Sequence, residues 1–250
     1  MSDNRPQSLL TQQIDYYRAR ASEYDQWFLR QGRYDRGEEH RTRWQREVET
    51  VQSALAAFNP TGRVLELAAG TGWWTRQLRP FAGELVAVDA VAETLAINRS
   101  NLPADEPAAD VSRPEQTITF VQADIFSLTP DVLPPGGPFD VIFFSFWLSH
   151  VPPARLAEFW AMLRRFCHAQ SRVFLIDSLY HPESTARDNV LPNQQETVVT
   201  RTLNDGSTYD IVKVFYTPET LSTSLRELAW RGTFQATERF FLYGSAQLGG

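Results

Sequence analysis

Cysteine is almost absent from this chain. Cys167 is the one thiol in 250 residues, which excludes an internal disulfide and a cysteine-based metal centre. Histidine is nearly as scarce, and His40, His150, His168 and His181 fall at no metal-ligand spacing. Long apolar runs are missing too. The N-terminal MSDNRPQSLL has no apolar core of the signal-peptide kind, and no segment reaches the roughly twenty apolar residues of a membrane helix. Positive charge is in deficit, with 24 Lys and Arg against 30 Asp and Glu and a net charge of -6. No global basic field is therefore available for nucleic acid or an acidic membrane surface. Neither an internal repeat nor a break in composition marks a second domain. A hydrophobic fraction of 42% supports a sizeable core, so we expect a single soluble, cytoplasmic domain over 1–250.

What the chain does have is the stretch VLELAAGTGWWT, residues 64–75. A short apolar run with Glu66 near its end reads as a buried strand. A turn with Gly70 and Gly72 follows, then a helical pattern over 73–80. Strand, glycine turn and helix together let backbone N–H groups approach a nucleotide-like ligand. Around this stretch, residues 7–30 and 38–58 carry helical periodicity. Apolar runs at 84–89, 117–122, 139–146 and 172–176 predict four further strands, with helices at 92–100 and 153–167 between them. Residues 101–116, rich in Pro, Ala and acid, predict a surface loop. Strands alternating with helices predict a parallel sheet covered on both faces. The tail differs. Residues 197–203 and 207–216 alternate in polarity around Asn204-Asp205-Gly206, a hairpin signal. A helix at 219–229 and strands near 233–239 and 240–246 close the chain.

In such a sheet, ligands bind beyond the carboxyl ends of the strands. Those ends carry Glu66 with the glycine turn, Asp89, Asp124, residues 145–150, and Asp177. Asp89 lies 19 residues past Gly70, where a carboxylate can accept from both hydroxyls of a ribose. Asp124 is placed to accept from an exocyclic amine such as that of adenine, with Ile125 and Phe126 as apolar walls. A nicotinamide cofactor would ask for Gly-x-Gly-x-x-Gly, but Thr75 stands where the third glycine would be. Glu66 also has no part in that reading, whereas acids suit a cofactor that carries a sulfonium and an ammonium. The pattern points to S-adenosylmethionine rather than NAD.

These residues resemble the class I S-adenosylmethionine-dependent methyltransferases. Residues 64–72 are similar to that family's first motif, Val88-Asp89 to its second, Ala123-Asp124-Ile125 to its third, and 139–144 to its fourth strand. The resemblance covers about 12–246. It implies a doubly wound, seven-stranded, mostly parallel α/β sheet of the Rossmann-like methyltransferase kind. Residues 1–58 would form an N-terminal helical lid and 59–178 the cofactor core. An inserted segment with the hairpin would span 179–216, and the closing helix and strand pair 217–250. It also implies that Glu66, Ala68, Gly70 and Gly72 line the methionine end of the cofactor, with Thr75 a further cofactor-binding residue. Asp89 and Ala90 would hold the ribose, Asp124 and Ile125 the adenine, and Ser145 would sit near the methyl group. Residues 16–25, 144–152, 201–206 and 211–215 resemble bacterial phosphonate O-methyltransferases of antibiotic biosynthesis.

For the methyl acceptor, His150 follows the fourth strand closely and could take a proton from a hydroxyl or orient an anion. Tyr17, Arg20 and Tyr24 share a face of the first helix, a lid in which the tyrosines contact cofactor and Arg20 an anion. Arg201 and Lys213 lie in the hairpin and could bind phosphonate, phosphate or carboxylate. Such a hairpin can cover the pocket or pair two subunits as a homodimer. Trp147, beside His150, is a candidate acceptor contact. The expected activity is O-methylation of a small molecule with an anionic or hydroxyl acceptor. Alternatives are an RNA- or protein-modifying methyltransferase, disfavoured by the acidic balance, and a non-catalytic S-adenosylmethionine-binding protein.

Overall fold

The structure is a computed structural model that describes residues 5–102, 117–191 and 193–249. The N-terminal third holds α1 (Arg5–Arg20), α2 (Tyr24–Phe28) and α3 (Glu38–Phe58). Then follow β1 (Gly62–Leu67), α4 (Trp73–Leu78), β2 (Ala82–Asp89), α5 (Ala92–Asn101), β3 (Thr117–Gln122) and β4 (Phe139–Ser145). The rest comprises α6 (Leu156–Arg164), β5 (Cys167–Ser178), β6 (Val198–Thr202), β7 (Thr208–Val212), α7 (Pro218–Glu227), β8 (Trp230–Ala236) and β9 (Phe241–Leu248).

β4 is apolar at nearly every position because both faces of the strand are covered. Ile142 and Phe144 pack towards α6 and α7 with Leu65, Leu67, Trp160 and Leu221. Val141 and Phe143 face the other way, with Val64, towards Trp44, Val48, Leu55 and Trp74 on α3 and α4. Seven strands form one sheet in the order β3-β2-β1-β4-β5-β9-β8. The first five are parallel, β9 runs antiparallel to β5, and β8 antiparallel to β9. The strand order reverses between β1 and β4, which opens a crevice at their carboxyl ends. Among the described residues no helix is long and apolar enough to cross a membrane.

Several elements differ from the sequence expectation. The periodic stretch 7–30 is not one helix. It breaks at a 3-10 turn, Ala21–Glu23, because α2 is bent over the glycine turn, where Asp25 accepts from Thr71 Oγ1 at 2.5 Å. α6 starts only at Leu156, after a separate turn at Pro153–Arg155. β5 is twelve residues long rather than five. It is extended at its start by pairing of Cys167 with Phe139 and at its end by pairing of Asp177 and Ser178 with β9. β7 stops at Val212, because Val214 N donates to Ser149 O at 2.8 Å and draws the chain off the hairpin. The closing strands are shifted, with their turn near 237–240, where Glu47 of α3 accepts from Phe240 N at 2.9 Å. Of the expected loop at 101–116, Asn101 ends α5, and 103–116 lie outside the described residues.

The hairpin β6–β7 forms its own two-stranded sheet. Its apolar face packs on α1, where Val199, Leu203 and Ile211 meet Tyr16. Gln13 fastens the two together, accepting from Val212 N at 3.1 Å and donating to His150 O at 3.3 Å.

Candidate active site

The turn after β1 is held from beneath. Gly72 has φ +91, and a Cβ there would lie 2.1 Å from Asn98 Oδ1. Asn98 donates to Thr75 Oγ1 at 2.8 Å, and Thr75 donates to Glu66 Oε2 at 2.7 Å. Glu66 is 1% exposed, and burial raises its pKa to about 8, so it is mainly protonated at neutral pH. Glu66, expected at the methionine end of the cofactor, and Thr75 thus lie under the turn, and neither is among the residues lining the two cavities described below. The reason is strand parity and packing: the Glu66 side chain is enclosed by the first residues of α4. Ala68 (φ 53) and Phe146 (φ 52) both take left-handed backbone just past the ends of β1 and β4. Such strain in non-glycine residues gathers at ligand sites.

A first cavity of about 780 Å³ opens beside this turn, lined on the sheet side by Ala68, Gly70, Asp89, Ala90 and Ser145. Asp89 is fixed by two backbone donors, Gly70 N at 2.8 Å and Val91 N at 2.9 Å. Burial raises its pKa despite these bonds. Asp124 lines the same cavity, exposed, with Oδ1 accepting from Phe126 N at 3.0 Å. Ile125, Phe126 and Trp147 form an apolar slot, with Phe126 and Trp147 ring centroids 5.8 Å apart. Leu10, Ile14 and Tyr17 of α1 cover it. Trp147, expected to contact the acceptor, lines this cavity. Gly72 borders a smaller adjoining recess with Tyr24, Asp25, Trp73 and Trp74.

A second chamber of about 600 Å³ shares Tyr17, Tyr24 and Phe146 with the first. Arg20, Arg201, Lys213 and His150 all line it. Arg201 is 8% exposed, and its Nη1 has no hydrogen-bond partner. Burial, with Arg20 adding repulsion, lowers its pKa. Arg20 lies over the Tyr24 ring at 4.9 Å and the Tyr16 ring at 5.6 Å, and reaches Tyr34 Oη at 3.4 Å. Lys213 Nζ donates to Ser149 Oγ at 2.8 Å and lies 3.7 Å from Asp177 Oδ1. Burial pulls its pKa down to about 8. Among the described residues, Asp177 is the one carboxylate within ion-pair reach of these three cations.

His150 is buried at the junction. Its Nδ1 lies 2.7 Å from Val212 O, and its Nε2 lies 2.6 Å from Tyr17 Oη. A carbonyl only accepts, so Nδ1 carries the proton and Nε2 accepts from the tyrosine hydroxyl. Burial first, then the charge of Lys213, holds the His150 pKa well below 6.5. The ring is neutral at physiological pH. Among the described residues no group of three His, Cys, Asp or Glu is placed to hold a metal ion.

Comparison with known proteins bears on this geometry. A family described as "Methyltransferase domain" matches residues 64–170. DhpI, solved in complex with SAH, is 33% identical, covering 96% of this chain and 97% of its own, with a TM-score of 0.74. This chain belongs to the class I S-adenosylmethionine-dependent methyltransferases. A DhpI complex with SAM and HEP is similar to the same degree, with TM-score 0.73, 33% identity and coverage of 96% and 97%. The phosphoethanolamine N-methyltransferase of Triticum aestivum is 23% identical over 149 residues, 59% of this chain. That match spans only 27% of the wheat enzyme's length.

The cofactor of this methyltransferase is S-adenosylmethionine. The first cavity fits it. Asp89 lines the cavity at the end of β2 with its carboxylate oriented by Gly70 and Val91 N–H, the position a ribose diol asks for. Gly70 takes left-handed backbone, φ +53, where the turn borders the cavity. The slot of Ile125, Phe126 and Trp147 suits a purine ring. Several residues of the second chamber escaped the sequence reading, among them Tyr34, Ser178, Ser184, Thr185 and Asn189. Ser178 ends β5, and the others sit on turns and irregular backbone, where periodicity carries no signal.

Proposed function

We propose that this methyltransferase esterifies an oxygen of a small anionic acceptor, a phosphonate, phosphate or carboxylate, held in the second chamber. The observation that carries the reading is Arg201, a buried guanidinium with an unpartnered Nη1, standing with Arg20 and Lys213 against a single carboxylate. An isolated buried charge is expensive. An oxyanion between these groups would satisfy it, and a guanidinium fork suits such a ligand. The similarity to DhpI over nearly the whole chain supports a small-molecule acceptor.

In this reading Asp89, with Ala90 beside it, holds the ribose. Asp124, Ile125, Phe126 and Trp147 hold the adenine. Tyr17, Tyr24, Ala68, Gly70 and Ser145 lead towards the methyl group, and Gly72 borders the methionine end. Bound S-adenosylmethionine supplies an electrophilic methyl on a sulfonium. Arg20, Arg201 and Lys213 bind the acceptor anion and aim one oxygen along the sulfur–methyl axis. Tyr17, Tyr24 and Phe146 frame the opening between the chambers and exclude water. An anionic oxygen has no proton to lose, so neutral His150 orients Tyr17 and the acceptor rather than serving as a base.

The test is labelled-methyl transfer from S-adenosylmethionine to matched alkylphosphonate, alkyl phosphate, carboxylate and neutral alcohol acceptors. A methyl ester on an anionic oxygen is expected. Label found only on alcohols, on RNA or on protein would sink the reading. The similarity to the phosphoethanolamine enzyme, over part of the chain, adds a second reading. The same cations would hold a phosphate while a nearby amine is methylated. Phosphoethanolamine in the panel separates the two, by an N-methyl against an O-methyl product.

A further inference from the structure

Two of the apolar walls of the first cavity come from different parts of the sheet. Phe126 stands on the turn Ile125–Ser127, just past the end of β3, whereas Trp147 follows β4. β3 is an edge strand, separated from β4 by β2 and β1. Phe126 is half-buried, and its backbone N–H donates to Asp124 Oδ1 at 3.0 Å. That bond fixes the turn but not the ring, which still turns about its own side-chain bonds.

Arg155 backs the ring. Its guanidinium carbon lies over the Phe126 ring, 3.7 Å from the centroid, in direct contact with one face. Phe126 lines the cavity and Arg155 does not, so the guanidinium covers the ring from outside the slot. Arg155 closes the turn Pro153–Arg155, between β4 and α6, with its N–H donating to Pro152 O at 2.8 Å. It therefore ties the turn after β3 to the connection after β4. Glu158 grips the guanidinium by two bonds, accepting from Nε into Oε2 at 2.6 Å and from Nη2 into Oε1. A partly exposed i,i+3 pair of this kind contributes little stability by itself. What the fork supplies is direction, because a planar cation held at two points is set over the ring in one orientation. Glu158 first, and Asp124 after it, raise the Arg155 pKa.

We propose that Arg155 is a positioning residue for the cofactor, pinning the Phe126 ring in the orientation against which the adenine stacks. The proposal rests on the placement of the adenine in this slot. A ring left free must be ordered when the base arrives, and each side chain ordered on binding weakens affinity. Arg155 orders Phe126 before the cofactor arrives.

The experiment measures binding of S-adenosylhomocysteine and of 5′-methylthioadenosine by calorimetry. The full chain is compared with Arg155→Met, Phe126→Ala and the double variant. Met keeps an apolar stem and removes the planar cation with its fork. Both ligands should bind Arg155→Met roughly three- to ten-fold more weakly, and by the same factor, since both carry the adenine. Phe126→Ala should weaken both by roughly ten-fold or more. The double variant should bind no worse than Phe126→Ala, because without the ring Arg155 has nothing to set. The Tm of Arg155→Met should stay within about 2 °C of wild type. Wild-type affinity in Arg155→Met, with Phe126→Ala weakened, would overturn the inference and leave the adenine slot standing. So would losses that multiply in the double variant, since Arg155 would then act through its charge on Asp124 or on the ligand. Weakening confined to S-adenosylhomocysteine, or a Tm lowered by several degrees, would overturn it too. Unchanged affinity in Phe126→Ala would overturn the slot itself.

Discussion

Replacing Arg201 with Met should weaken the enzyme and leave the fold as stable as before, or more so. Arg201 lies on β6 with its side chain 8% exposed in all and Nη1 unpartnered. Met keeps an apolar stem of similar length for packing near Tyr16 and removes the charge. Truncating one member of a buried ion pair usually costs about 3–5 kcal/mol, because the other charge is stranded. Among the described residues Arg201 has no such counter-ion to strand. Removing it also relieves Arg20, whose charge contributes to lowering the Arg201 pKa. Stability should thus be unchanged or raised by up to ~2 kcal/mol, a rise in Tm of at most about 6 °C for a chain of this length. The loss appears in catalysis. A charge-assisted hydrogen bond to an anion contributes roughly 1.5–3 kcal/mol, so kcat/KM for an anionic acceptor should fall about 10- to 150-fold. S-adenosylmethionine affinity should hold. Scanning calorimetry, isothermal calorimetry and a labelled-methyl assay on one preparation measure all three. A Tm lowered by several degrees with turnover retained would refute the reasoning, since it would make Arg201 a structural cation.

Other expectations follow from the same geometry. Lys213 titrates at about 8 in the folded chain against 10.5 in its ordinary state, so kcat/KM for an anionic acceptor should fall above pH 8. Between pH 8 and 10.5 the unfolded chain still binds that proton and the folded chain does not, so stability should rise as activity falls. Both trends should vanish in Lys213→Met, by urea titration and rate measurement across pH. His150→Ala should slow transfer to an anion only about ten-fold, with cofactor affinity nearly intact. A loss of several hundred-fold would instead mark His150 as a base. Gly72→Ala should destabilise by roughly 2–5 kcal/mol in urea, because its Cβ meets Asn98 Oδ1 at 2.1 Å on backbone of φ +91. A midpoint within error of wild type would contradict the packing beneath the turn.

The sheet was legible because its signals are local. Apolar runs fixed the buried strands, and Asp89 and Asp124 mark their carboxyl ends. Both line the first cavity as their spacing suggested. Glu66 shows the limit of that signal, since spacing locates a strand end but not which side chains its neighbours enclose. Here Thr75 and Asn98 cover it. Trp147 and His150 are three positions apart in sequence, and a turn at Leu148–His150 sends the two into different chambers. Arg20, Arg201 and Lys213 were foreseen singly. That they line one chamber depends on α1 docking on β7, a contact between segments about 200 residues apart. Thr185 and Asn189, which line the same chamber, had no periodic trace to follow.

Tyr17 belongs to both chambers at once, and so does Tyr24. Any ordering that one ligand imposes on these rings is inherited by the other. Linkage then requires reciprocity: the factor by which cofactor tightens acceptor binding equals the factor by which acceptor tightens cofactor binding. The hydrogen bond from Tyr17 to His150, itself tied to Val212 of the hairpin, extends that shared ring to the strand next to Lys213. With the acceptor in the second chamber as proposed, the two ligands would meet through a common wall before they meet through a methyl group.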